Sequence, residues 1–203
     1  ALAQGGMIIA PGNAGTVQIA AGNIGTNTVS TATLNNADGT WAANTGRLNI
    51  APSASASFFD TTNITGDGVY FTAGTVTFAN STPSANEMNG TVNLDGANFD
   101  VVAGYALAIN DTLNWSAGTI DGLGTLQIAS TGTAVVSGGN HTLGVGLYDN
   151  YGTTRINLSS GSALTVDAGA GLINQPGGIV EFMADNNAIT GAGVFGNAGT
   201  VQI

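Results

Sequence analysis

The sequence predicts an all-β fold, a parallel β-helix (β-solenoid) of about 8–9 coils of irregular length averaging 23 residues. Three observations predict the solenoid: a glycine-led motif that keeps returning, period-two alternation of apolar and polar residues inside it, and an almost complete lack of helix signals. The motif is clearest in Gly12-Asn13-Ala14-Gly15-Thr16-Val17-Gln18-Ile19, whose eight letters return as Gly196-Asn197-Ala198-Gly199-Thr200-Val201-Gln202-Ile203.

Looser members lie between these two. They are Gly46-Arg47-Leu48-Asn49-Ile50, Gly74-Thr75-Val76-Thr77-Phe78, Gly90-Thr91-Val92-Asn93-Leu94 and Gly124-Thr125-Leu126-Gln127-Ile128. Gly152-Thr153-Thr154-Arg155-Ile156 is weaker, and Gly178-Ile179-Val180-Glu181-Phe182 follows it. Asn13, Asn44, Asn89, Asn150 and Asn197 stand one or two places before a motif glycine. Each part has a physical job. Val17 and Ile19, or Leu126 and Ile128, point to one side and fill a core, while Thr16 and Gln18, or Thr125 and Gln127, meet water. Glycine permits a positive φ at a corner, and asparagine tolerates the same region.

Spacing selects the architecture. The motif glycines recur at uneven gaps, and the widest, between Gly90 and Gly124, holds a hidden member, Gly104-Tyr105-Ala106-Leu107-Ala108-Ile109. A hairpin meander brings turns every 8–12 residues. A period near 23 has room for two or three short strands and their corners, which is one solenoid coil.

In the C-terminal half, Gly146–Ala168 overlays Gly169–Gly191 at a shift of 23, setting Leu147 on Ala170 and Ile156 near Ile179 and Val180. Second strands show at Ala134-Val135-Val136 and Ala163-Leu164-Thr165-Val166. Asp38-Gly39, Asp67-Gly68, Asp95-Gly96 and Asp121-Gly122 mark turns. Residues 23–44 and 53–66 are the least regular and are expected to carry longer loops, and Pro83 marks a loop within 80–89.

No linker or shift in composition divides the chain, so residues 1–203 read as a single β-solenoid segment. The last motif runs to Ile203 inside a strand. An uncapped coil invites stacking. The expectation is part of a longer repeat protein, or a subunit that self-associates end to end. The paired octapeptides are either the two ends of a long, diverged tandem unit or one coil motif met twice.

Composition narrows the function. Charged residues make up 7% of the chain, Lys and Arg number 2, and the net charge is −10. Nucleic-acid binding needs cations to neutralise phosphates, so it is excluded as an expectation, and anionic membrane surfaces are disfavoured for the same reason. No apolar run approaches the roughly 18 residues of a spanning helix, so no membrane insertion is expected. Disorder is rejected because 43% of residues are hydrophobic and recur at ordered spacings. There is no cysteine, which removes disulfides, thiolate zinc sites and thiol nucleophiles. Ala1-Leu2-Ala3 has the residue pattern of a signal-peptidase site, but the regions that should precede it are not present in this sequence.

The Asn-x-Gly-x-apolar-x-apolar repeats, the Gly-Thr-Leu/Val starts and Asn174-Gln175-Pro176-Gly177-Gly178 resemble the passenger repeats of bacterial filamentous-haemagglutinin-type adhesins and autotransporters. The resemblance covers most of the chain from Gly12 onward. It implies the right hand of the parallel β-helix, export to the cell surface, and a role in adhesion or as a stalk.

Few residues are candidates for chemistry, and none is assigned a catalytic, cofactor-binding or metal-binding role. Asp95 with Asp100, and Glu181 with Asp185, are the carboxylate pairs to weigh for acid–base work. Asp95 sits in an Asp-Gly turn and Glu181 alternates with Val180 and Phe182, so both are expected to meet solvent. His141, the only histidine, lacks partners for zinc or a triad and reads as a loop residue. Neither the nonapeptide calcium repeat nor an Asp-x-Asp-x-Asp loop is present; a stray surface calcium stays open.

Trp41, Trp115, Tyr70, Tyr105, Tyr148 and Tyr151 are candidates for stacking on sugars, with core packing or loop anchoring the ordinary role. Thr75 with Thr77, and Thr131 with Thr133, suggest an ice-binding threonine array, but most coils break the pattern at the second place. The expected function is a structural or adhesive extracellular β-solenoid without enzymatic activity. Its expected partners are copies of itself, surface glycans or other cells. The alternative is a carbohydrate-binding or carbohydrate-active β-helix protein.

Overall fold

A computed structural model describes residues 15–19, 24–30, 33–59, 61–79 and 86–203. Among these residues there is no helix, and every ladder is parallel. The strands, β1 to β24 in chain order, stack as three ladders that wind around one core.

The first ladder is β1 (Thr16–Gln18), β4 (Thr40–Ala42), β7 (Thr61–Thr65), β10 (Asn86–Asn89), β12 (Ala106–Ile109), β14 (Thr125–Ile128), β17 (Leu147–Asn150), β20 (Gly171–Asn174) and β23 (Val194–Asn197). The second is β2 (Thr26–Val29), β5 (Arg47–Ile50), β8 (Val69–Phe71), β11 (Thr91–Val101), β13 (Thr112–Asp121), β15 (Thr133–Gly138), β18 (Thr153–Leu158), β21 (Ile179–Phe182) and β24 (Thr200–Gln202). The third is β3 (Thr33–Ala37), β6 (Ser55–Phe59), β9 (Thr75–Phe78), the second halves of β11 and β13, β16 (His141–Leu143), β19 (Ala163–Val166) and β22 (Ala188–Gly191).

The β-solenoid therefore has about eight turns, roughly 22 residues apart. Steps between paired residues run from 19 (Ala106 to Thr125) to 26 (Thr153 to Ile179). At β11 and β13 the chain passes from the second side to the third without leaving the sheet. The register slips around Asp95, Ala97 is buried, and Gly96 takes φ 123°, so Asp95-Gly96 is a bulge inside a strand and not the expected break.

Alternation behaves as the motif requires. Leu126 and Ile128 are fully buried, and Thr125 and Gln127 lie on the outer face. In β1, Thr16 and Gln18 are exposed while Val17 and Ile19 pack against the core. Burying each such side chain stabilises by about 1.5–3 kcal/mol. Aromatic residues concentrate early: Trp41, Phe58, Phe71, Phe78 and Phe99 form a connected cluster with ring centroids 5.1–6.1 Å apart.

Several expectations need correction. The motif glycines do not mark one coil each. Gly15 and Gly124 lead first-ladder strands, Gly46, Gly90, Gly152, Gly178 and Gly199 lead second-ladder strands, and Gly74 leads a third-ladder strand. The paired octapeptides thus end in β1 on the first ladder and β24 on the second. The same corner-and-strand motif serves on two different sides of the solenoid. Gly12, Asn13 and Ala14 lie outside the described residues.

The overlay at a shift of 23 also fails. Tyr148 pairs with Leu172, Thr153 with Ile179 and Ile156 with Phe182, because the turn at 175–178 is longer than the one at 151–152. The stretches expected to be irregular hold regular strands: β2 to β4 within 23–44, and β6 and β7 within 53–66. The Pro83 loop lies outside the described residues, and 86–89 is strand β10. The hidden member at 104–109 is present as β12.

Candidate functional site

Asp95 and Asp100 lie on different sides of the solenoid, and Glu181 and Asp185 lie on a strand and in the turn after it. Asp95 sits at the bulge, where its Oδ2 is 2.7 Å from Arg47 Nη2 and its Oδ1 accepts from Ser116 Oγ at 3.1 Å. Asp100 lies beyond the corner on the third side, in register with Thr77 and Asp121. Glu181 is on the outer face of the second side, 3.0 Å from Arg155 Nε and in register with it. Asp185 is exposed in the turn after β21, lining a cavity with Phe182, Met183 and Ile203. The outward placement of Glu181 is as expected.

Both basic side chains belong to the second side, and both are occupied. Arg47 lies over the Tyr70 ring, 3.8 Å from its centroid, and also donates to Asn49 Oδ1 at 2.6 Å. It reaches Asp95 past the intervening coil, so one side chain ties three coils together. The third side has no such balance. Its outer column reads Ser55, Thr75, Asn98, Thr119, Thr142, Thr165 and Thr190. Thr119 Oγ1 donates to Asn98 Oδ1 at 2.5 Å. Beside it run Ser57, Thr77, Asp100 and Asp121. Thr75 and Thr77 are outward here as expected, but Thr131 lies in a turn and bonds the Asn110 carbonyl, so it forms no array with Thr133.

His141 is not a loop residue. It is 4% exposed within β16, edge-on to Trp115 at 4.7 Å, with Nε2 2.7 Å from the Ser137 carbonyl. Trp41, Trp115 and Tyr148 are buried, and Tyr70 is covered by Arg47. Tyr151 alone of the candidate aromatics is exposed. Tyr148 projects inward to Thr154 Oγ1 at 2.8 Å, and burial pushes its phenol well above its ordinary value. Among the described residues no three His, Asp or Glu side chains group as a metal site.

The sequence reading did not anticipate polar structure inside the solenoid. Ile128, Asn150, Asn174 and Asn197 occupy one inward column. Asn150 Nδ2 donates to Asn174 Oδ1 at 2.8 Å and to the Ile179 carbonyl at 2.9 Å. Asn174 Nδ2 donates to Asn197 Oδ1 at 2.7 Å and to the Thr200 carbonyl at 3.0 Å. A second ladder, Asn63, Asn89 and Asn110, lies one position further along on the outer face and links earlier coils. The signal in the sequence is the asparagine that precedes some motif glycines, Asn89, Asn150 and Asn197, whose part goes beyond forming the turn.

Comparison of the chain with protein families, with curated proteins and with solved structures found no match. The geometry defines the class: a repeat protein with the β-solenoid fold.

Proposed function

We propose that the chain is a stiff structural or adhesive segment of an extracellular protein, serving as surface stalk, adhesin segment or filament building block, and not an enzyme. One observation carries the reading: three parallel ladders around a single core, in which both arginines are taken up by cross-coil bridges. Such an object resists pulling along its axis because the described coils are joined by continuous backbone ladders, reinforced in places by side-chain ladders. The adhesin-like repeats support display at a cell surface. No helix among the described residues is long and apolar enough to cross a membrane.

Single-molecule pulling tests the reading. Coil-by-coil extension is expected, each step releasing about 22 residues, or roughly 75 Å of chain. Hydrolysis of a polysaccharide by the purified chain, abolished by D100N or E181Q, would overturn it.

A second reading, binding to an extended glycan, is favoured by the third side. There a hydroxyl column and the Asp100–Asp121 column run together at the coil repeat of about 4.8 Å. Glycan-array binding lost in T119V and D121A, with the fold unchanged, would select it. No binding to any glycan would remove it.

A further inference from the structure

Asn-x-Ser/Thr is the acceptor triplet for attaching a sugar to asparagine, and the asparagine must be reached at the surface. The described residues hold Asn63-Ile64-Thr65, Asn89-Gly90-Thr91, Asn110-Asp111-Thr112, Asn114-Trp115-Ser116, Asn140-His141-Thr142 and Asn157-Leu158-Ser159. A chain rich in asparagine and threonine meets this triplet often, so the triplet alone selects none of them. The fold does.

The solenoid closes all but one. Asn63, Asn89, Asn114 and Asn157 lie within β7, β10, β13 and β18, each bonded to a strand on both sides. Asn89 Nδ2 is spent on Asn63 Oδ1 at 3.1 Å, and Asn114 Nδ2 on Asn93 Oδ1 at 2.9 Å. Asn110 lies in a bend outside the strands, but its Nδ2 is held by Asn89 Oδ1 at 2.8 Å.

Asn140 differs. It is exposed in the turn between β15 and β16, at the corner of the second and third sides. Its Oδ1 accepts from the Ala163 N–H of the next coil at 2.8 Å, which orients the carboxamide. Its Nδ2 makes no hydrogen bond among the described residues. Thr142, two places on, is exposed on the third side. Between them His141 turns inward, edge-on to Trp115, with Nε2 2.7 Å from the Ser137 carbonyl. The buried histidine thus pins the turn while the amide and the hydroxyl on either side of it meet solvent. Gly139, next to Asn140, has open space where a side chain would stand. Towards the preceding coil, β16 pairs with β13 through Leu143 alone. A large group has room to approach here.

We infer that Asn140 is a sugar acceptor of the folded solenoid, N-glycosylated by a transferase that reads Asn140 and Thr142 together. In the step, Nδ2 bonds to the anomeric carbon of a sugar carried on a diphosphate. The bond from that carbon to the phosphate oxygen breaks, the diphosphate leaves with the electron pair, and one Nδ2 proton passes to the transferase. The carboxamide keeps its Oδ1, so the bond from Ala163 survives. Meeting such a transferase rests on the extracellular reading above; the acceptor geometry does not.

The test incubates the folded chain with a soluble Asn-x-Ser/Thr N-glycosyltransferase and a nucleoside-diphosphate hexose, then reads intact mass and a peptide map. A single hexose is expected, on Asn140. Synthetic peptides carrying the Asn89, Asn110 and Asn114 triplets should accept the sugar that the folded chain refuses at those positions. T142A should lose the modification with Asn140 still in place, and T142S should keep it. Protein recovered from its own cells should carry a sugar on Asn140. A bare Asn140 in the folded chain, or in the protein from its cells, overturns the inference. Sugar on Asn89, Asn110 and Asn114 of the folded chain as readily as on Asn140 overturns it too. The pulling experiment reads the same with or without the sugar, so the stalk reading fails or stands separately.

Discussion

Asn174 sits in register above Asn150 inside the solenoid and accepts its Nδ2 hydrogen at 2.8 Å. Both side chains are 0% exposed, and the column below them is apolar at Ile128. A buried carboxamide is tolerated only when its donors and acceptors are met. Each Nδ2 is met by the next asparagine and by a carbonyl, while the Asn150 Oδ1, with only Ile128 in register beneath it, is the one acceptor of the ladder left without a partner.

N174A therefore removes more than one contact. Asn150 keeps only the Ile179 carbonyl, and Asn197 loses its donor. The expected cost is about 2–4 kcal/mol, read as a lower denaturant midpoint. N174L, similar in volume but without polar atoms, should also destabilise. Recovery of parent stability by N174L would show that the ladder contributes shape alone.

Tyr148 and Thr154 form another polar pair of the core, 2.8 Å apart and almost fully buried. Y148F is expected to cost about 1–3 kcal/mol by stranding the threonine hydroxyl, and Y148F/T154V should recover part of that. A double-mutant cycle by urea unfolding measures it.

The same tyrosine sets an alkaline limit. Burial raises its folded pKa above the ordinary 10.0, so near that pH the unfolded chain releases the proton while the folded chain keeps it. The stability tied to this group is fully present below pH 10 and falls as pH rises beyond it. Phenolate absorbance from Tyr148 should appear only with unfolding, and Y148F should flatten the fall. A Tyr148 signal that titrates in the folded protein at its ordinary value would contradict the burial.

Two glycines separate conformational strain from contact. Gly90 has φ 93°, and a Cβ there would run into the Ile64 carbonyl. Gly104 has φ 83° with open space around it. G104A should cost only the strain of the left-handed region, about 1 kcal/mol, and G90A clearly more. Equal losses in thermal unfolding would remove the contact argument.

Arg47 bridges past a whole coil, but the pair it forms with Asp95 is 37% and 33% exposed. Water screens such a pair, so R47M is expected to lose no more than about 1 kcal/mol. Stability measured in low and high salt should show the bridge weakening as salt rises.

Much of the fold was legible in the sequence because β-alternation and glycine corners are local features. Leu126, Ile128, Thr125 and Gln127 could be placed inside or outside from their order alone. The assignment to coils was not local. The motif glycines recur at irregular gaps because the motif is used on all three sides. From Gly74 to Gly90 the chain goes from the third ladder to the second of the next coil, which is two-thirds of a turn. From Gly46 to Gly74 it makes a full turn and a third. Counting coils survived this because the excesses and shortfalls cancel.

Side-chain fates were harder to read. Nothing near His141 announces that it will lie against Trp115 of the preceding coil, since register between coils decides it. Asn150 and Thr154 look like surface residues until their columns are known.

The early aromatic cluster has a consequence for how the chain acquires its shape. Trp41, Phe58, Phe71, Phe78 and Phe99 bring three successive coils into contact within the first half of the chain. Coils further along have only their immediate neighbours to lean on, and each is close in sequence to the one before. Folding then resembles crystal growth from a seed: a slow first event at the aromatic coils, then addition of rungs at a rate indifferent to how many already stand. Lengthening such a chain by further coils would leave the seeding step, and so the observed folding time, nearly unchanged.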